Sequence, residues 1–190
     1  MKILTNSTRL AFAGIVCSLV ISAIVGIFVI LLGDFDETEI KILLTSGSLA
    51  GLSILSLPSL FHLERNQYMT LSRIGIVAAI AGFSAIQLVI WSEGNFAGQI
   101  FWKAVATNGV LAFSTNHMLS LFMAKVQETL VVMSRWVTIL AIATVAIFIV
   151  YVIWANEVPE QAIRIFGSVV IIDALGTIAF PIIVRLSKIK

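Results

Sequence analysis

Long apolar runs alternate with short polar clusters along this chain. Six runs stand out: Leu10–Leu32, Ile42–Phe61, Ile74–Trp91, Ala104–Ala124, Trp136–Ala155 and Ile165–Val184. A helix rising about 1.5 Å per residue needs roughly 17–25 residues to cross a hydrocarbon core of about 30 Å. All six runs meet that length, and only the last holds a charge, Asp173. None shows the alternation of a barrel strand, which would span about 10 residues. Without water to satisfy the backbone, continuous apolar runs close their hydrogen bonds as helices. The pattern predicts an all-α integral membrane bundle of six transmembrane helices, with residues 1–190 forming a single membrane domain. The first run is read as a retained helix. Its 23 residues exceed a signal-peptide core, and no A-x-A site follows it.

The polar punctuation repeats. Arg9, Arg73 and Arg135 each open an apolar run, at spacings of 64 and 62. Lys41, Lys103 and Arg164 each open the next, at spacings of 62 and 61. Four residues after each of these lies Thr45, Thr107 or Ser168, and four before lies Glu37, Gln99 or Glu160. Trp91 and Trp154 close two odd-numbered runs, and Pro58 and Pro181 sit at matching places in the second and sixth. These coincidences predict three tandem helical-hairpin repeats of about 62 residues, over 9–65, 73–125 and 135–185. Glu37 with Lys41, and Glu160 with Arg164, are spaced to pair across one helical turn near a helix N-terminus. The layout is similar to that of mitochondrial carriers. Those have larger repeats with a proline on each odd-numbered helix; the odd runs here have none, so no carrier function is implied.

Charge then sets orientation. Six spans put the two ends and the even-numbered loops on one side, with Lys2, Arg9, Arg65, Arg73, Lys125, Arg135, Arg185, Lys188 and Lys190. The other side holds only Lys41, Lys103 and Arg164. Basic residues favour the cytoplasmic face, so both termini are expected in the cytoplasm, with the chain in the cell (inner or plasma) membrane. The composition agrees: 59% of residues are hydrophobic and 12% charged, about half the charge of a soluble domain. The bilayer is the first expected partner. Nucleic acid is not expected, because the basic rim suits anionic head groups.

The acidic stretch "GDFDETEIKILLT", Gly33 to Thr45, invites a cation-site reading. Against the repeat it becomes the first of three outer turns, with Asp34, Asp36 and Glu39 left as a weak surface cation site. The sharper feature is Asp173, nine residues into the last run. A charge at that depth costs about 2.5–3.5 kcal/mol on insertion scales and marks a proton, ion or substrate site by default. The repeat places Ala50 and Ala112 at the equivalent positions. The fourth run is the most polar, and Thr107, Asn108, Ser114, Asn116 and His117 are expected to line a path to Asp173. His117 and Asp173 differ in depth by roughly 7.5 Å, so they are expected to share a cavity without direct contact.

Small residues at i+4 spacing, Gly14, Ser18, Ser22 and Gly26 in the first run and Gly47 and Gly51 in the second, predict close helix packing. The lone Cys17 reads as a packing residue. No phosphate-binding loop, nucleophile elbow, CxxC or HExxH is present, so no enzyme activity, cofactor or metal is expected. Two functions follow. One is a small transporter or channel-like protein binding an ion, proton or small solute at Asp173. The other is a non-catalytic accessory or structural subunit, docking through its small-residue stripes as a homo-oligomer or within a larger membrane complex.

Overall fold

The computed structural model describes residues 6–32, 36–92, 98–124, 128–155 and 157–187. These form six helices in chain order: α1 (Asn6–Leu32), α2 (Glu37–Glu64), α3 (Met69–Trp91), α4 (Gln99–Phe122), α5 (Thr129–Trp154) and α6 (Glu160–Ser187). Each apolar run lies on one helix, overrunning its end by no more than two residues. Four helices, α2, α3, α5 and α6, are long and apolar enough to cross a membrane. In α1 the described side chains give the apolar stretch Val16–Leu31. α4 carries the most side-chain chemistry and falls outside that set.

α2 and α6 carry their own start signals. Asp36 caps α2, its Oδ1 accepting the Glu39 amide at 2.8 Å, which satisfies one of the orphan N–H groups of the first turn. Both i,i+4 ion pairs form: Glu37 with Lys41 and Glu160 with Arg164, each at 2.6 Å. Of the acidic cluster, Asp36 caps a helix and Glu37 pairs with Lys41, while Asp34 lies outside the described residues. On the opposite side, α2 passes to α3 through a turn in which Asn66 (φ 52) and Tyr68 (φ 49) take left-handed backbone.

The helices pack as an open row. α1 packs on α2, α2 on α3 and α4, α3 on α4, α4 on α5, and α5 on α6. Large apolar side chains remain exposed along the whole row: Ile30 at 67%, Val77 at 66%, Leu130 at 77% and Ile147 at 70%. In water this would be an aggregation surface; in lipid tails it carries no penalty. The buried apolar core is correspondingly small, formed by Leu121, Val131, Ile139, Ile142, Phe180 and Val184 between α4, α5 and α6.

Polar and small residues hold the seams, as expected where lipid competes with apolar contacts. Part of the α1 stripe faces α2: Ser18 Oγ donates to Ser53 Oγ at 3.3 Å, Ser22 Oγ donates to the Ser46 carbonyl at 2.7 Å, and Gly26 lies under Leu43. No described atom lies close to a Cβ built on Gly14, Gly47 or Gly51. The close approaches fall instead at Gly75, against Ser59, Thr115 and Asn116, at Gly82, against Asn108, and at Gly176, against Thr138. Two tryptophans tie odd helices to the even helices before them. Trp91 Nε1 donates to Thr45 Oγ1 at 3.1 Å, and Trp154 Nε1 donates to Thr107 Oγ1 at 2.9 Å.

Candidate functional site

A cavity of about 280 Å³ opens between α4, α5 and α6. α5 forms its floor, with Ile142, Val145, Ala146 and Ile149. Its walls come from α4 (Val110, Phe113, Ser114, His117) and α6 (Asp173). α4 and α6 each pack on α5 and not along one another, so the cavity stays open on its outer side. Phe113, 63% exposed, stands at that opening.

Across this gap runs one hydrogen-bonded chain. Thr177, one turn after Asp173 on α6, donates to Asp173 Oδ1 at 3.3 Å. The Nε2 of His117 lies 3.1 Å from Thr177 Oγ1. A threonine hydroxyl has one proton. With that proton on Asp173, His117 must be the donor to Thr177, which fixes the hydrogen on Nε2. His117 and Asp173 therefore line one cavity, and Thr177 bridges them. Thr177 was missed in the sequence. Its signal was available: a hydroxyl at i+4 of a membrane carboxylate shares its helix face. Among the described residues no lysine or arginine pairs with Asp173.

The remaining candidates lie elsewhere. Asn116 is 2% exposed and sits in the seam between α2 and α4. Its Oδ1 accepts from Ser59 Oγ at 2.6 Å, and its Nδ2 donates to the Ala112 carbonyl at 2.8 Å. His62, fully buried beside it, reaches the Leu119 carbonyl through Nε2 at 2.9 Å. Asn108 points toward α3 and donates to the Ala78 carbonyl at 2.8 Å. Thr107 donates to the Lys103 carbonyl and accepts from Trp154. Ser114 does line the cavity, but its hydroxyl donates to the Val110 carbonyl at 2.7 Å.

A second groove, of about 450 Å³, lies between α2, α3 and α4. It keeps the register of the first. On α2, Gly51, Leu52 and Leu55 precede Phe113, Ser114 and His117 by 62 residues. On α3, Ala79, Gly82, Phe83 and Ile86 precede Ile142, Val145, Ala146 and Ile149 by 63. Ala112 on α4 precedes Asp173 by 61. At corresponding wall positions the two grooves thus differ in polarity four times: Ser48 against Val110, Leu52 against Ser114, Leu55 against His117, and Ala112 against Asp173.

The chain matches no family model, no curated protein and no solved structure.

Proposed function

We propose that this protein is a small multi-pass transporter or channel-like protein that binds an ion, proton or small solute at Asp173. The observation that carries the reading is the chain His117–Thr177–Asp173 facing a cavity between helices. A carboxylate inside a span is costly and is retained where it meets a substrate, a proton or water. Thr177 and His117 hold it in place and supply a route by which a proton reaches or leaves it. All six helices cross the membrane in this reading, with both termini cytoplasmic, as three hairpins duplicated from one unit. The shared register of the two grooves and the paired Trp–Thr bonds support that duplication.

Reconstitution tests it. Wild-type proteoliposomes should dissipate an imposed proton or sodium gradient faster than empty vesicles, and Asp173→Asn should return the rate to the empty-vesicle level. Thr177→Val, which keeps the charge and removes the bridge, should shift the pH profile of the flux while leaving a measurable rate. An Asp173→Asn variant as fast as wild type would end this reading.

One observation favours the accessory-subunit reading. Thr45 and Thr107 each receive a tryptophan from the next odd helix, whereas their counterpart Ser168 is exposed and donates to its own Arg164 carbonyl. α6 thereby offers the place that a seventh helix would take. Crosslinking from Ser168→Cys in native membranes, followed by mass spectrometry of the adduct, should recover one stoichiometric partner helix. Lipid-only labelling would rule this reading out.

A further inference from the structure

The hydrogen-bond inventory of the α4–α5–α6 cavity is one-sided. Its donors are spent: His117 Nε2–H on Thr177, the Thr177 hydroxyl on Asp173, and the Ser114 hydroxyl on the Val110 carbonyl. Its unspent groups are acceptors, namely the second carboxylate oxygen of Asp173, the Ser114 oxygen lone pairs and Nδ1 of His117 in its Nε2–H form. A ligand that only accepts hydrogen bonds, such as a quinone or a carboxylate, finds no donor there, and an anion is repelled by Asp173. The rest of the lining is apolar, from Phe113 to Ile149. At about 280 Å³ the cavity lies at the lower edge of the range for drug-sized ligands. Its lining residue Phe113 is itself 63% exposed, so the cavity meets the apolar outer surface of the helices. The groove between α2, α3 and α4 has the same apolar floor register but Leu55 and Ala112 in place of His117 and Asp173. It therefore serves as an internal control lacking the charge.

From these observations we infer that the cavity binds a small amphipathic amine, entering sideways from the hydrocarbon. Its ammonium pairs with Asp173 and its apolar body lies on the α5 floor beside Phe113. The inference rests on reading Asp173 as the binding centre, and it names the ligand class of that site. An ammonium supplies both things the site lacks, hydrogen-bond donors and positive charge. A charge-assisted hydrogen bond in a site of low dielectric is about twice as strong as a neutral one. Recognition of the amine should therefore dominate over recognition of an alcohol of the same shape.

Equilibrium binding in nanodiscs tests this with three probes of one shape: 4-phenylbutylamine, 4-phenylbutanol and 4-phenylbutyrate. The amine should bind saturably at one per chain, above its partition into empty nanodiscs. The alcohol should bind at least tenfold more weakly, and the carboxylate should show partition only. Asp173→Asn should weaken the amine at least tenfold, and Asp173→Glu, which restores the charge, should recover most of that loss. Phe113→Ala should weaken amine and alcohol alike. Non-saturable uptake of the amine, equal binding by Asp173→Asn, or preference for the alcohol would overturn the inference. The two readings fail separately. Loss of amine binding alongside Asp173-dependent ion flux removes the ligand class and leaves transport standing. Asp173-dependent amine binding without any flux does the reverse.

Discussion

Gly176→Val should destabilise the protein by about 3 kcal/mol and open the α4–α6 link, because overpacking a tight contact costs about 1–3 kcal/mol and here reaches the upper end. A Cβ at Gly176 would collide with Thr138 Oγ1 and lie 3.0 Å from its Cγ2 and 3.1 Å from its Cβ. Thr138 has little room to yield. It is β-branched and 1% exposed, and its hydroxyl donates to the Ser134 carbonyl at 3.0 Å. α6 must therefore back away from α5. Thr177 is the next residue, so its bond to His117 breaks with that movement. Gly167→Val is the control on the same helix, since no described atom beyond its own helix backbone and chain neighbours lies within 4 Å of its Cβ position. Unfolding in mixed micelles should show a large loss for the first variant and little change for the second. Equal stability of the two would refute the close approach.

Asn116→Leu should cost about 1–3 kcal/mol while leaving Asp173-dependent activity per folded molecule intact. The size is conserved, so the loss is polar. Ser59 keeps a buried hydroxyl whose acceptor is gone, and an unsatisfied buried group costs about 1–3 kcal/mol. Side-chain hydrogen bonds between membrane helices average about 0.6 kcal/mol and reach about 1.7. A double-mutant cycle with Ser59→Ala should return a coupling within that range. If Asn116→Leu folded normally but lost activity, Asn116 would belong to the site and not to the α2–α4 seam.

These two cases mark where the sequence stops being readable. Hydropathy places the helices because each run must satisfy its own backbone in lipid. Asp173 is legible for the same reason: one carboxylate in an otherwise uncharged run is conspicuous. Spacing also picks out His117 and Ser114. It does not separate them from Asn116, which lies between them in sequence, because faces of α4 are assigned only by its neighbours. α3 claims Asn108, α2 claims Asn116 and α5 claims Thr107. The glycines tell the same story. Gly47 and Gly51 have the spacing of a packing motif but no close neighbour, whereas Gly176, with Ile172 and Phe180 at i±4, makes a tight contact.

By itself, then, the sequence determined six helices, the two i,i+4 ion pairs and the oddity of Asp173. Each depends on local hydrogen bonding, on charge in an apolar run, or on contacts four residues apart. Only the tertiary structure decided which polar residues glue helices and which face a cavity. It also brought Thr177, sixty residues from His117 along the chain, between His117 and Asp173, a placement that depends on how α6 leans on α5 at Gly176.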